Sequence, residues 1–210
     1  KNEALVVFEQ WKNRLPCIYK SAEMGYDGKG VRTIHTIDDV ITLDDVPGAF
    51  EQRIEIEIEI AVMIARSPKG DHVLYPPVAM YFDPANHILS EVHYPASIRK
   101  SVEEEMNRIA IKVSEALDIC GLCAFEFFVT TDGDIVLNEI APRPHNSMHI
   151  SMDNAHCSQF EQHLRAISDM PLGSTVMDKA GIMYNIIGHE GDSGKVEWQG
   201  WDEVSGLDEV

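Results

Sequence analysis

Hydrophobic and polar positions alternate most clearly over residues 49–66, where isoleucine and glutamate take turns in the segment AFEQRIEIEIEIAVMIAR. A period of two is typical of a strand with one buried and one solvated face. The pattern therefore predicts one long strand over residues 49–66. Solvent alone explains its acidic face, so only neighbouring motifs can give Glu51 or Glu59 a chemical role.

Shorter apolar runs bounded by turn residues predict further strands. Two of these runs are joined by Asp132-Gly133, a dipeptide that favours a tight β-hairpin loop. The further predicted strands cover residues 17–22, 31–35, 72–82, 87–96, 122–131, 134–141 and 180–187.

Four segments carry the periodicity or the cap signals of helices. Asp38 is the expected N-cap of the second, and Ser101 with Glu104 forms the capping box expected at the third. The predicted helices cover residues 3–14, 38–45, 101–117 and 157–168. This order of elements predicts an α+β fold with mostly antiparallel strands and few helices.

The formal net charge of −18 argues against nucleic acid as a partner, because phosphate backbones are bound by clustered lysine and arginine. A phosphorylated small molecule stays compatible, since a few cations and a divalent metal can neutralise it. No apolar run approaches the ~20 residues of a membrane span, and the start lacks the layout of a signal peptide. We therefore expect no membrane contact and a cytoplasmic location. The first segment looks like a helix entered partway, so we expect a piece of a longer protein.

The chain has four cysteines, two of them in a C-x-x-C at Cys120 and Cys123. This motif raises zinc binding or redox chemistry, but there is no second C-x-x-C and the pair does not begin a predicted helix. We favour buried, reduced cysteines. A zinc site on His145, His149 and His156 is a further alternative, for which the sequence offers no evident fourth ligand.

Glu126 and Glu139 lie in apolar runs on the two arms of the predicted hairpin, at similar distances from its turn. They can therefore face one another, and neighbouring carboxylates repel unless a cation lies between them. Mg²⁺ suits such a pair because it takes one or two carboxylates and completes its shell with substrate phosphates. The alternative is that each glutamate pairs with a lysine or arginine of another element.

Residues 25–30, GYDGKG, combine three glycines with Lys29 between two predicted strands. Glycines let backbone N–H groups approach phosphate oxygens, and the lysine adds positive charge. The segment is not a Walker A motif, since its spacing differs and no Ser or Thr follows the lysine. A simple tight turn is the alternative.

A rigid, charged segment follows the second hairpin arm. Pro142 and Pro144 fix the backbone and cannot extend the sheet, so they hold Arg143 and His145 in defined positions. A guanidinium binds a planar oxyanion such as carboxylate, bicarbonate or phosphate through two parallel hydrogen bonds. His145 and Asn146 can add hydrogen bonds to the same anion.

These features, in this order, resemble the ATP-grasp superfamily, and within it the N5-carboxyaminoimidazole ribonucleotide synthetase family. The resemblance rests on MGYDGKG, NEIAPRPHNS and SQFEQHLRAISDMPLG, and it extends from about residue 1 to about residue 190. It implies an ATP-grasp fold of two subdomains with mostly antiparallel sheets and flanking helices. The expected divisions are part of a small lid subdomain at 1–50, a large subdomain with the ATP and Mg²⁺ site at 51–172, and the start of an incomplete C-terminal domain at 173–210.

The resemblance also implies an ADP-forming ligase of purine biosynthesis with ATP and Mg²⁺ as cofactors. In that reaction ATP phosphorylates bicarbonate to carboxyphosphate, and the amine of aminoimidazole ribonucleotide captures the carboxyl group. A homodimer is expected for the complete protein. Weak or no carboxylation is expected from a piece that lacks the N-terminal domain and the end of the C-terminal domain.

Roles implied by the resemblance can be placed on individual residues. ATP would be bound by Lys20, Gly25, Gly28, Lys29, Gly30, Glu51, the Ile54 backbone and Glu59. Mg²⁺ would be held by Glu126 and Glu139. Bicarbonate and carboxyphosphate would be bound by the catalytic residues Arg143, His145 and Asn146. The imidazole substrate would be approached by Tyr26 and Asp27.

One residue departs from the family pattern. Met148 replaces a glycine, and we expect it to crowd the nucleotide pocket or to require a different backbone turn. The alternatives are another ATP-grasp enzyme, such as a biotin carboxylase or the formate-dependent purine transformylase, or a non-catalytic fragment that binds nucleotide or metal. The segment APRPHNS speaks against the first two.

Overall fold

The structure is a computed structural model that describes residues 2–23, 30–84, 88–188, 194–195, 197 and 199–207. Its strands are β1 (Cys17–Ser21), β2 (Val31–Ile34), β3 (Gly48–Gln52), β4 (Ile56–Arg66), β5 (His72–Leu74), β6 (Val78–Phe82), β7 (Leu89–Tyr94), β8 (Gly121–Thr130), β9 (Ile135–Ala141) and β10 (Gly181–Tyr184). Its α-helices are α1 (Asn2–Trp11), α2 (Ile37–Ile41), α3 (Lys100–Ala116), α4 (Ser151–Asn154), α5 (Gln159–Ile167) and α6 (Trp201–Val204). Short 3₁₀ turns cover Lys12–Arg14 and Asn146–Met148.

A small sheet of three strands lies near the start of the chain. Its order is β2-β1-β3, and β1 is antiparallel to both neighbours. Helices α1 and α2 pack on it through a separate apolar core, to which they contribute Phe8 and Val40. The small sheet therefore has its own hydrophobic support.

A large sheet of seven strands forms the rest of the scaffold. Its order is β10-β7-β6-β4-β8-β9, with β5 paired to β4, and each pairing is antiparallel. The predicted α+β class with mostly antiparallel strands is confirmed. Among the described helices, none has the length and apolar character needed to cross a membrane.

Strand β4 lies inside the large sheet and is buried on both faces from Ile60 to Ala65. The even-numbered residues between 60 and 65 pack in one apolar layer with Met106 of α3. The odd-numbered residues pack in a second layer, with Ala166 of α5 and with Met148 of the 3₁₀ turn. Burial on both faces explains why the isoleucine–glutamate alternation gives way to a continuous apolar run.

The single strand predicted over residues 49–66 is wrong. The chain forms β3, which pairs with β1, and then β4, which pairs with β8 in the other sheet. Residues 53–55 connect the two sheets outside either strand. A period of two reports which face each residue occupies, and it does not report a change of partner strand.

Three smaller predictions are also corrected. The predicted strand at 72–82 is two strands, because Pro76-Pro77 offers no N–H groups to a ladder between them. The N-cap of α2 is Thr36, with Asp39 completing a capping box, instead of Asp38. Helix α3 begins one residue before Ser101, with Arg99 at its N-cap and no side-chain cap bond, so the predicted capping box is absent there.

The hairpin predicted at Asp132-Gly133 is confirmed by the pairing of β8 with β9. Gly133 has a φ of +87°, in the left-handed region where glycine carries no steric penalty. The subdomain boundaries near residues 50 and 172 stay predictions. Strand β10 lies after residue 172 and pairs with β7 of the large sheet.

Gly121, at the start of β8, offers a test of the packing between α5 and the large sheet. Its φ is +101°, and an added Cβ would lie 2.8 Å from Cε1 of His163 and 3.1 Å from Cγ2 of Ile167. The same imidazole accepts the Leu122 N–H through Nδ1 at 3.2 Å. We predict that Gly121→Ala lowers the free energy of unfolding by about 1–3 kcal/mol, measured by urea denaturation.

Gly188→Ala is the matched control, because a Cβ there would meet no atom within 4 Å. It should change the free energy of unfolding by less than about 0.5 kcal/mol. Equal effects of the two substitutions would contradict the close approach of α5 to β8.

Candidate active site

Three carboxylates meet on one face of the large sheet, one from each of three adjacent strands. Glu126 of β8 lies directly opposite Glu139 of β9 and opposite Ala61 of β4. Glu59 lies two residues before Ala61, so it is the diagonal neighbour of Glu126 on the same face. The expectation that Glu126 and Glu139 face one another is confirmed.

A β-bulge produces this pairing. Phe127 pairs with Leu137, but Glu126 pairs with Glu139, so Asn138 is an extra residue in β9. In a regular ladder Glu139 would share a face with Leu137, which packs in the apolar layer beneath α3. The bulge moves the Glu139 carboxylate to the opposite face, beside Glu126.

Burial raises the pKa of two of these carboxylates, Glu126 and Glu59. Glu126 is 9% exposed, and its burial, together with the charges of Glu139 and Glu59, raises its pKa to about 8. Burial also raises the pKa of Glu59 to about 7, against an opposing effect of Lys20. The positive charges of Lys20 and Arg143 lower the pKa of Glu126 only in part. A bound cation would remove the remaining repulsion.

Lys20 connects the small sheet to this face. Its Nζ donates to Oδ1 of the bulge residue Asn138 at 2.9 Å and lies 2.9 Å from Oε2 of Glu51. These contacts bring a positive charge from β1 beside the carboxylates of the large sheet. Glu51, expected at adenine, here contacts Lys20, and Ile54 lies half-buried in the connection between the sheets.

The segment after β9 turns back over the carboxylates. The Arg143 N–H donates to the Ala141 carbonyl at 2.8 Å, and Arg143 Nη1 donates to the Pro144 carbonyl at 3.0 Å. The His145 ring places Nδ1 3.6 Å from Oε1 of Glu126, and also 2.9 Å from Oγ of Ser147. The turn therefore brings a guanidinium and an imidazole to the paired glutamates.

The donor set fits Mg²⁺. Glu126, Glu139 and His145 each place a possible ligand atom within 4.8 Å of the others, and no other such group of three His, Cys, Asp or Glu side chains occurs among the described residues. Carboxylate oxygens are the hard ligands that Mg²⁺ prefers, so the two glutamates would hold it.

Other predicted site residues are placed as follows. Asn146 begins the 3₁₀ turn and is half-buried, and its carbonyl accepts the His149 N–H at 3.0 Å. Gly30 has a φ of +82°, and its carbonyl accepts the Ser21 N–H at 2.9 Å. The remaining loop residues lie outside the described residues; they are Gly25, Tyr26, Asp27, Gly28 and Lys29.

Met148 does not crowd a pocket. Its side chain is fully buried in the apolar layer with Met63 and Ala166. It lies in a 3₁₀ turn, and the described non-glycine residues with positive φ are Asp118 and Asp169. The backbone here is therefore open to any residue, and methionine extends the core under the turn.

The alternative zinc sites are not assembled among the described residues. Cys123 is buried, which raises the pKa of its thiol to about 11, but Cys120 is exposed, so the expectation of buried cysteines is wrong for Cys120. His149 contacts the Gln159 amide, whereas His156 lies 2.7 Å from Asp178. The imidazoles of 145, 149 and 156 therefore have separate partners.

The sequence reasoning missed two polar residues of the site, Asn138 and Gln159. Asn138 is the bulge residue that accepts from Lys20, and its sequence signal is its position beside Glu139. Gln159 is fully buried and bonds to the backbone of His145. Its signal is an amide at the start of an amphipathic helix, on the face that packs inward.

Comparison with known families matches residues 2–160 to the ATP-grasp domain. The match covers most of the chain, and the chain belongs to the ATP-grasp family. The predicted ATP-grasp fold is thereby confirmed.

Several relatives within the ATP-grasp family share one enzyme name. The chain is 35% identical over 181 residues to the N5-carboxyaminoimidazole ribonucleotide synthase of Bacillus subtilis, covering 84% of this chain and 47% of that protein. It resembles carboxyaminoimidazole ribonucleotide synthase of Aspergillus clavatus complexed with ATP at a TM-score of 0.83 and 30% identity, covering 90% of this chain and 51% of that one. It also resembles N5-carboxyaminoimidazole synthase of the same fungus in complex with ADP and 5-aminoimidazole ribonucleotide. The TM-score is 0.81 and the identity 29%, covering 91% of this chain and 51% of that one. The chain spans about half the length of these relatives.

The raised pKa of Glu126 predicts a pH-dependent stability. With a native pKa near 8 and an ordinary value of 4.5, the folded state binds more protons than the unfolded state between these pH values. The stability from this protonation is complete below pH 4.5 and is lost as the pH rises through 8. Without divalent cations, Glu126→Gln should therefore raise the free energy of unfolding at pH 8.5 by about 2–4 kcal/mol.

Urea unfolding with a chelator, at pH 5 and at pH 8.5, measures this effect. The stabilisation by Glu126→Gln should be small at pH 5 and should grow with pH. Glu57→Gln, at an exposed residue of the neighbouring strand β4, is the control and should show no such growth. A gap between Glu126→Gln and wild type that does not change with pH would contradict the raised pKa of buried Glu126.

Proposed function

We propose that the protein to which this chain belongs is an ADP-forming ligase that carboxylates 5-aminoimidazole ribonucleotide with bicarbonate and ATP. The observation that carries the proposal is the direct opposition of buried Glu126 and exposed Glu139, with Nδ1 of His145 3.6 Å from Glu126 and Arg143 in the same turn. The relatives described above bear the name of this activity, and one is complexed with ADP and the imidazole ribonucleotide.

ATP would bind between the two sheets, where Lys20 provides a cation for its phosphates. Glu51 of β3 and the Ile54 backbone, in the connection between the sheets, would meet the adenine. Glu59 would accept hydrogen bonds from the ribose. The glycine-rich segment at 25–30 would contact the phosphates. Nucleotide binding would then exchange the Lys20–Glu51 contact for a Lys20–phosphate contact.

Glu126 and Glu139 would hold Mg²⁺, whose charge neutralises the phosphate oxygens when it is bound. The protein's own contribution is the fixed position of the two carboxylates, which the β-bulge sets directly opposite each other. Phosphoryl transfer depends mainly on such positioning and on charge stabilisation.

Bicarbonate would bind to the guanidinium of Arg143, with His145 and Asn146 completing its hydrogen bonds. One bicarbonate oxygen attacks the γ-phosphorus, the bond to ADP breaks, and carboxyphosphate forms. The substrate amine then attacks the carboxyl carbon, phosphate leaves, and the nitrogen loses a proton. Tyr26 and Asp27 would approach the imidazole ring.

The reaction would take place in the cytoplasm, and the complete protein would be a homodimer.

ATP hydrolysis by the complete protein tests this proposal. We expect ADP release to require Mg²⁺ and bicarbonate, and to rise when aminoimidazole ribonucleotide is added. Hydrolysis that is indifferent to bicarbonate would count against the ligase. The assay needs the complete protein because the chain spans 47% of its bacterial relative.

Substitution of one paired carboxylate sharpens the same assay. Glu139→Gln keeps the size and hydrogen-bonding capacity of the side chain but removes its negative charge, so Mg²⁺ loses a ligand. We expect turnover to fall by at least about 10²-fold, since charge stabilisation dominates this chemistry. Circular dichroism should show an intact fold, and Glu57→Gln should leave turnover unchanged. Wild-type turnover by Glu139→Gln would exclude the metal assignment.

A further inference from the structure

A buried amide on α5 holds the turn that carries His145. Gln159 is the first residue of α5, and its side chain is fully buried. Its Oε1 accepts the His145 N–H at 2.8 Å, and its Nε2 donates to the His145 carbonyl at 3.0 Å. The same Nε2 lies 2.8 Å from Nδ1 of His149. One side chain therefore binds both backbone groups of His145 and the ring of a second histidine.

The orientation of this amide is fixed by the backbone. A peptide N–H can only donate and a carbonyl can only accept, so the two His145 bonds define which end of the amide is oxygen. Nε2 must then donate to His149, and Nδ1 of His149 must accept. The His149 ring is held neutral with its proton on Nε2. Burial also lowers the pKa of His149, in the same direction.

Gln159 is itself anchored through its main chain. Its N–H donates to Oγ of Ser151 at 3.0 Å, and that hydroxyl donates to the Met148 carbonyl at 2.7 Å. Ser158 caps α5 by accepting the Glu161 N–H at 3.3 Å. The start of α5 and the 3₁₀ turn at Asn146–Met148 therefore form one hydrogen-bonded unit.

We propose that Gln159 is a positioning residue for the turn at 143–146, which carries the residues proposed to bind bicarbonate. Its amide sets the direction of the His145 backbone, and so sets where the imidazole meets Glu126 and where Asn146 points. The role toward bicarbonate rests on the proposed function, whereas the hydrogen-bonding roles of the amide and of His149 do not. A side chain that only filled space would pack equally well as methionine or leucine.

Two variants of the complete protein separate positioning from packing. Gln159→Met keeps the volume and removes all three side-chain bonds. Gln159→Glu keeps the shape, but its carboxylate can only accept, so it loses the bond to the His145 carbonyl and favours a proton on Nδ1 of His149. We expect Gln159→Met to lower kcat/KM for bicarbonate about 10- to 100-fold while KM for ATP changes less than about twofold.

Nitrogen-15 NMR of histidine-labelled protein supplies a readout that needs no turnover. The His149 signals, assigned with a His149→Phe variant, should show a proton on Nε2 and none on Nδ1 in the wild type. In Gln159→Glu the proton should appear on Nδ1. If bicarbonate-dependent turnover is absent but these signals shift as expected, the proposed function is wrong, whereas the hydrogen-bonding role of the Gln159 amide is supported.

Two results would overturn the inference. One is wild-type protein with its His149 proton on Nδ1, a result that requires no Gln159 variant to fold. The other is folded Gln159→Met with unchanged kcat/KM for bicarbonate. A rise in KM for ATP as large as the fall in kcat/KM for bicarbonate would show a packing role and would also contradict positioning.

Discussion

The direct opposition of Glu126 and Glu139 across two strands is the interaction on which the site depends. Glu126 is buried and Glu139 is exposed, and the burial of Glu126, together with the negative charge of Glu139, raises the pKa of Glu126. Two neighbouring positive charges partly offset the repulsion between these carboxylates. Lys20 approaches from the small sheet through the bulge at Asn138, and Arg143 approaches from the turn after β9. The proposed binding of phosphate and of Mg²⁺ at this face depends on this one electrostatic constraint.

Part of this arrangement could be predicted from the sequence because it depends on local chemistry. The Asp132-Gly133 turn and two apolar arms define a hairpin, and two carboxylates inside those arms require a partner. The approximate symmetry of Glu126 and Glu139 about the turn suggested that they face each other. The register that the structure has beside the turn, with Val129 opposite Ile135, would nevertheless pair Glu126 with Asn138 if it continued without a bulge. The bulge that corrects the register has no local sequence signal, since it satisfies the apolar layer under α3 as well as the site.

The rest of the fold could not be predicted because it depends on contacts between distant segments. The alternation over 49–66 does not indicate that β3 pairs with β1 in one sheet and β4 with β8 in the other. The sequence pattern therefore predicted a single strand. The role of Gln159 arises only when α5 lies against the turn of His145, 14 residues earlier in the chain. Met148 looked like an obstacle in the sequence, yet its side chain points into the core. In each case tertiary packing decides what a local pattern leaves open.

The central claim is that the paired carboxylates and the adjoining turn transfer the γ-phosphoryl group of ATP to bicarbonate. Oxygen-18 tracing measures this most directly. The complete protein is incubated with Mg²⁺, ATP, aminoimidazole ribonucleotide and freshly dissolved ¹⁸O-bicarbonate in unlabelled water, and the phosphate is examined by mass spectrometry. The account predicts that phosphate carries one oxygen from bicarbonate, since that oxygen attacks phosphorus. Phosphate labelled no more than the solvent-exchange background would mean that water attacks ATP, and would contradict it.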